Sequence, residues 1–354
     1  MGYALPASGM SAAGKRLLHL VFLFSEGPRM PIVELNHVRK VYDTKVAVED
    51  LSISIEPGTM FGLLGPNGSG KTSSIRMMIG ITAPDSGTVS LFGKPFARKM
   101  LANIGYLPEE RGLYKKMNVL EQLVFLGRLH YISASVATIR ARTWADRLQI
   151  SEALPKKTED LSKGMQQKIQ FIAALMHEPD LIIMDEPFSG LDPVNASLLM
   201  DTLVELRQEG KTILFSTHRM DQVEKMCDNL ALIHGGKLVL SGSMGEIKAQ
   251  YPRNRINIAF EGDDAFLRHP RIERLRRFNG QAEIVLRSSA TLVDDAQELL
   301  VDALRHARVT RFEVTEPTLE EIFIEKVRET SPPQAIQLSA AMEEEEPEGS
   351  YLNA

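Results

Sequence analysis

Apolar residues fall at Val33, Leu35, Val38 and Val41, and again at Leu51, Ile53 and Ile55, before a Pro57-Gly58 turn. Near-period-two alternation closed by a turn predicts hairpin strands with one buried face. Met60–Leu64 is then continuously apolar, a Gly-rich stretch opens at Gly65, and residues 71–79 take helical spacing. From Val119 to about Ile150 the period lengthens, with Leu120, Leu123 and Val124 on one face, which predicts a helical insertion. The pattern next predicts a helix over 162–176 that stops before Pro179, a buried strand over 181–184, a helix over 197–207 and a strand over 212–215. Strands alternating with helices imply a mostly parallel sheet.

After Gly242 the character changes. Ile256, Ile258 and Phe260 alternate, as do Ile284 and Leu286; residues 292–304 are helical, and a strand over 309–314 leads into a helix over 319–327. The expected organisation is a main unit over 30–242 containing a helical part at about 109–160, followed by a small α+β unit over 243–330. Residues 331–354, with Pro332, Pro333 and a glutamate run at 343–346, read as an acidic disordered tail. Residues 1–29 read as a disordered leader. Their apolar run at 17–24 follows Lys15 and Arg16 but is far short of the roughly 20 residues that a membrane span needs.

Composition narrows the class only a little. A length of 354 residues suits a main domain plus a smaller one, and 44% hydrophobic content with a net charge of -5 argues against a global nucleic-acid footprint. The single cysteine, Cys227, has no partner for an intramolecular disulfide, so a disulfide-stapled secreted fold is excluded and a reducing compartment is permitted.

The chemistry is concentrated in a few short motifs. Gly65-Pro66-Asn67-Gly68-Ser69-Gly70-Lys71-Thr72 fits the phosphate-loop pattern G-x-x-x-x-G-K-[ST], with Ser73 continuing into the helix. Its glycines let backbone amides turn toward phosphate oxygens, and the helix start favours negative charge. Lys71 is expected to reach the β and γ phosphates and Thr72 to place its hydroxyl on Mg²⁺. Alone, this loop says only that a nucleotide binds, and a kinase or GTPase would satisfy it equally. Leu181-Ile182-Ile183-Met184-Asp185-Glu186 is an apolar strand that delivers two carboxylates at its end, which is the Walker B pattern. Asp185 would hold Mg²⁺ and Glu186 would polarise an attacking water.

With Leu161-Ser162-Lys163-Gly164-Met165-Gln166-Gln167-Lys168 lying between these motifs, residues 32–242 closely resemble the ABC (ATP-binding cassette) ATPase family. The resemblance implies an α/β P-loop core with a mixed, mostly parallel sheet, an antiparallel β subdomain, a helical subdomain and a small C-terminal α+β domain. It makes the 161–168 segment the family's signature motif, in which Ser162 and Gly164 bind the γ-phosphate of a nucleotide held by another subunit. By itself Ser162 is equally an N-cap. Ser189-Gly190-Leu191-Asp192 resembles the D-loop that crosses the dimer interface; His218 sits at the switch-histidine position, and Tyr42 where an aromatic stacks on adenine. Outside that resemblance, His218 and Tyr42 read as structural residues.

Two motifs depart from the family pattern. Glu109 stands where a glutamine is usual, adding a negative charge beside the expected Mg²⁺, and the signature carries Lys163 and Met165 in place of glycine and glutamine. Ser162 and Gly164 remain, and hydrolysis is expected to survive both changes.

The helical insertion is the surface that, in transporters of this family, receives a short helix of the membrane subunit. The ending Glu316-Pro317-Thr318-Leu319-Glu320-Glu321-Ile322-Phe323 is similar to the C-terminal extension of ABC-2 type exporter ATPases, the group that includes sodium-efflux and drug-resistance ATPases. The resemblance therefore implies ATP and Mg²⁺ as ligands, a separate integral membrane permease as partner, and a cytoplasmic, membrane-peripheral location. A second ATPase subunit is implied as well. Because Glu186 and Ser162 are both present, one chain can supply both halves of a competent site, which favours a homodimer. A soluble regulatory ATPase is the alternative. One phosphate loop and one signature speak against a two-cassette ribosomal factor, and the absence of a long heptad stretch between Thr72 and Ser162 speaks against a DNA-repair ATPase.

Overall fold

A computed structural model describes residues 30–110, 112–287 and 292–330; the expected leader and tail lie outside the described residues. In chain order the strands and helices are β1 (Val33–Tyr42), β2 (Lys45–Ile55), β3 (Met60–Leu64), α1 (Lys71–Met78), β4 (Ser86–Leu91), β5 (Lys94–Pro95), β6 (Ile104–Leu107), α2 (Val119–Leu129), α3 (Ala134–Arg147), α4 (Lys163–Leu175), β7 (Leu181–Asp185), α5 (Pro193–Gln208), β8 (Thr212–Thr217), α6 (Met220–Met226), β9 (Asn229–His234), β10 (Lys237–Ser243) and α7 (Met244–Ala249). A second group follows with β11 (Arg255–Gly262), β12 (Ile272–Phe278), β13 (Gln281–Leu286), α8 (Leu292–His306), β14 (Ala307–Thr315) and α9 (Leu319–Thr330).

The first group forms a ten-stranded sheet in the order β5-β4-β1-β2-β10-β9-β3-β8-β7-β6. Its β1, β2 and β4 pair antiparallel, and the step from Leu35 to Val38 explains the imperfect alternation of the sequence. A register shift falls between those residues, and His37 takes a left-handed φ of 49° there, so the extra residue is absorbed and Val38 still points inward. By contrast, β9, β3, β8, β7 and β6 run parallel. Every residue of β3, β7 and β8 is buried, as expected of strands covered on both faces. The pairing aligns Leu64 with Thr217 and Asp185 with Ser216, so the chain leaves these strands at one common edge of the sheet.

The insertion is two helices, α2 and α3. Ala137, Ala141 and Ala145 form a small-residue face on α3, and a Cβ on Gly127 of α2 would lie 3.1 Å from the Ala137 methyl. Helix α5 begins at Pro193, earlier than the expected 197, because Asp192 accepts a hydrogen bond from Asn195 N (3.0 Å) and proline suits the first helical position.

The second sheet is antiparallel, in the order β12-β13-β11-β14, with Ala296, Leu299 and Ala303 of α8 packed on Ile256, Ile258 and Ile284. Its chain then returns to the larger unit. Leu319 and Ile322 of α9 are buried in the main apolar core, Leu319 N donates to Glu224 Oε2 of α6 (3.3 Å), and the Phe323 ring meets the His234 ring edge-on.

Candidate functional site

The loop between β3 and α1 is shaped by contacts that only glycine permits. Gly65 has φ 152°, and a Cβ there would lie 2.2 Å from Ile233 O; Gly70, at φ 112°, would drive one to 2.5 Å from Ala47 O. Both walls are backbone, so neither can yield. Lys71 opens α1 with its ammonium turned back on the loop, donating to Gly65 O (2.7 Å) and Pro66 O (3.1 Å) and lying 3.9 Å from Glu186 Oε1. Burial lowers its pKa, against the opposing pull of Glu186, Asp185 and Glu109. The lysine therefore already senses the carboxylates around it.

Those carboxylates arrive from β7. Ser216 Oγ, on the neighbouring strand β8, donates to Asp185 Oδ1, while Asp185 Oδ2 is buried with no hydrogen-bond partner among the described residues. Glu186 adopts φ 48°, a left-handed conformation uncommon for a non-glycine residue, with its N–H 3.2 Å from both Ser216 O and Ser216 Oγ. His218 Nδ1 lies 3.0 Å from Glu186 Oε1. The turn bearing His218 is fixed by Thr217, whose hydroxyl donates to Gln222 Oε1 and accepts from Arg219 N.

Together these elements enclose a cavity of about 380 Å³ lined by Tyr42, Lys45, Ala47, Asn67, Gly68, Ser69, Gly70, Lys71, Thr72, Ser73, Glu109, Asp185 and Glu186. Most of the residues singled out from the sequence thus meet in one place. Gly65 stands just behind the loop, and His218 joins through Glu186. Ser162, Gly164 and Asp192 are not part of this lining and form a separate group. A Cβ on Gly164 would lie 3.4 Å from Leu191 and near Gly190 O, and Ser162 and Asp192 each cap their own helix by accepting from Met165 N (3.2 Å) and Asn195 N.

Sequence reasoning passed over Lys45, Ala47 and Ser216. Ser216 had a legible signal, since it precedes Thr217-His218 on the strand paired with the Walker B strand. The orphaned Asp185 oxygen, the Thr72 hydroxyl and the Glu109 carboxylate are hard oxygen donors of the kind Mg²⁺ takes. No group of three or more His, Cys, Asp or Glu among the described residues would cage a metal unaided, so a cation here would share its shell with phosphate oxygens.

Comparison with known proteins finds relatives for both parts of the chain. Residues 48–189 match the family model described as ABC transporter, and residues 242–327 match that of the ATP-binding protein DrrA1-3-like, C-terminal domain. The chain is 42% identical to an uncharacterized ABC transporter ATP-binding protein, YhaQ, of Bacillus subtilis, over 84% of this chain and 98% of that protein. It is 31% identical to the linearmycin resistance ATP-binding protein LnrL of the same organism, over 83% of this chain and 97% of that one. Among solved structures, cbiO1 of Clostridium perfringens, part of the ABC transporter complex cbiONQ, superposes with a TM-score of 0.56 at 28% identity, covering 63% of this chain and 92% of that one. A glycine loop seated on backbone, a carboxylate pair at the adjoining strand end and 42% identity over 84% of the chain lead to one assignment: the chain belongs to the ABC transporter ATP-binding proteins and is an ATP-binding subunit of a transporter.

Proposed function

We propose that this subunit hydrolyses MgATP to drive an exporter, by closing against a second copy of itself around two nucleotides. The observation that carries this reading is the separation of the two groups of site residues. Lys71, Asp185 and Glu186 share one cavity, whereas Ser162 and Gly164 lie with the Gly190-Leu191 turn outside its lining. A hydroxyl and free amides at the start of α4 form an anion site. A partner copy presenting that helix start would complete the cavity, and its own cavity would be completed in return.

In the closed site Tyr42 would stack on adenine, the amides of residues 67–72 and the Lys71 ammonium would hold the phosphates, and Thr72, Asp185 and Glu109 would hold Mg²⁺, all of them residues that line the cavity. The metal would supply charge neutralisation at the β and γ phosphates. Glu186 orients and polarises the attacking water, and His218, hydrogen-bonded to Glu186, stands beside it as a donor for the γ-phosphate. Attack of the water on the γ-phosphorus, with its proton passing to Glu186, breaks the bond to the β–γ bridging oxygen and leaves ADP and inorganic phosphate; departure of that phosphate removes the group that bridges the two copies and lets them part.

Export is supported by relatives named for it. A Nod factor export ATP-binding protein I of Cupriavidus metallidurans is 36% identical over 61% of this chain, and LnrL is named for linearmycin resistance. Among the described residues no helix is long and apolar enough to cross a membrane, and attachment at the inner membrane face is assigned to a separate permease because the chain is a transporter's ATP-binding subunit. Affinity purification of the tagged chain from detergent-solubilised cells tests the proposal. Stoichiometric recovery of a multi-span membrane protein is expected; recovery of ribosomes or of soluble proteins alone would overturn it in favour of a regulatory ATPase.

A further inference from the structure

The ring assigned to adenine has a cation on it. Lys40 Nζ lies 5.5 Å from the centroid of the Tyr42 ring, and Lys40 is not among the residues that line the nucleotide cavity, whereas Tyr42 is. That ammonium is firmly placed, donating to Ala83 O (2.9 Å) and Asp85 Oδ1 (2.9 Å) on a side chain only 14% exposed. Two of its three donors are thereby taken, and the Tyr42 ring is a third neighbour. Asp85 also grips the backbone on either side of Lys40. Its Oδ2 accepts from Val41 N (2.6 Å), and its own N–H donates to Arg39 O (2.8 Å). Asp85 lies in the segment that runs from the end of α1 into β4, so the strand end carrying Tyr42 is tied to the chain leaving the phosphate-loop helix.

We propose that Lys40, clamped by Asp85, is a positioning residue for base recognition: it holds the Tyr42 ring from the side away from the nucleotide and sharpens that ring's stacking on adenine. This rests on the reading of Tyr42 as the adenine platform. A cation over one face of an aromatic ring is attracted by its quadrupole and draws π density toward itself, which leaves the opposite face less negative and a better seat for an electron-rich purine. Desolvation strengthens the contact, and Lys40 is largely desolvated. The lysine therefore acts on the base, through Tyr42, and not on the phosphates.

Equilibrium titration of the purified full chain with ADP, and in parallel with inorganic pyrophosphate, tests this. Tyr42→Ala is expected to weaken ADP about tenfold through loss of base stacking. Lys40→Met, which keeps the aliphatic stem, is expected to weaken ADP about threefold, because the ring loses the polarisation and placement that favour a stacked base, with pyrophosphate affinity unchanged, and Lys40→Arg to restore wild-type binding. In a Tyr42→Ala background, Lys40→Met should add nothing. Wild-type ADP affinity in Lys40→Met, alongside weakened binding in Tyr42→Ala, would overturn this proposal alone. So would a Lys40→Met loss that persists without Tyr42 or extends to pyrophosphate. Unchanged ADP affinity in Tyr42→Ala would overturn the platform reading itself; retained pyrophosphate binding certifies that each variant is folded.

Discussion

Replacing Ser216 by alanine removes one hydroxyl, and that hydroxyl serves both acidic residues of the site, the carboxylate of Asp185 and the backbone N–H of Glu186. It donates to Asp185 Oδ1 and lies 3.2 Å from Glu186 N. Asp185 is 1% exposed, and its other oxygen has no partner among the described residues, so the substitution strips the side chain of the one donor described for it. A hydrogen bond to a buried charged group contributes about 1.5 to 3 kcal/mol, and Glu186 N retains Ser216 O, so the expected destabilisation is about 2 kcal/mol. Asp185 also loses the contact that sets its orientation toward a metal, and losses of this kind weaken metal binding by about 10 to 100-fold. Urea unfolding of the nucleotide-free chain reads the first effect. The Mg²⁺ concentration for half-maximal ATP turnover reads the second, and Ser216→Thr should rescue both. An unfolding free energy within about 0.5 kcal/mol of wild type, together with an unshifted Mg²⁺ curve, would refute the reasoning.

Two further outcomes follow from the same geometry. Glu186→Gln keeps the side chain's size but loses the base, so turnover should fall by about 10² to 10⁴-fold while ATP binding persists; the ATP-bound pair should then run at twice the monomer mass in size-exclusion chromatography. Turnover near the wild-type rate would remove Glu186 from the chemistry. His177 stacks on His130 with ring centroids 3.8 Å apart, and its Nε2 lies 3.0 Å from Ile104 O. Burial, then the neighbouring His130, push its pKa from 6.5 down to about 4, although the bond to Ile104 O opposes them. The unfolded chain thus takes up a proton near 6.5 and the folded chain only near 4, so the stability that His177 contributes is present above about 6.5 and is lost as pH falls through that window. His177→Gln should flatten the decline of the urea midpoint between pH 6.5 and 4, and parallel declines in both proteins would contradict this assignment.

Motifs that act through local chain geometry were legible in the sequence. The glycine loop, the apolar strand ending in Asp185-Glu186, and Ser162 opening a helix need only a few consecutive residues to state their roles. Apolar runs marked β3, residues 181–184 of β7 and residues 213–215 of β8 for the same reason, since a strand covered on both faces shows little polar alternation. What escaped depends on pairing between distant segments. Ser216 is one serine in a strand until the register sets it against Asp185, and Lys45 is a hairpin lysine until the hairpin folds over the phosphate loop. The early start of α5 rests on Asp192 followed by Pro193, a helix-start signal carried by the same residue that resembles the end of the D-loop. One residue can carry both, as capping occupies Asp192 within its own chain.

The docking of α9 on α6 and β9 sets the order in which the molecule can be completed. Apart from α9 itself, the apolar core that receives Leu319 and Ile322 is built from residues 60–251, yet that helix is translated about 70 residues later. At about 5 to 20 residues per second the ATPase portion emerges from the ribosome several seconds before its apolar socket can be closed. During that interval the nascent chain carries an uncovered apolar notch beside α6, which is filled only when α9 arrives.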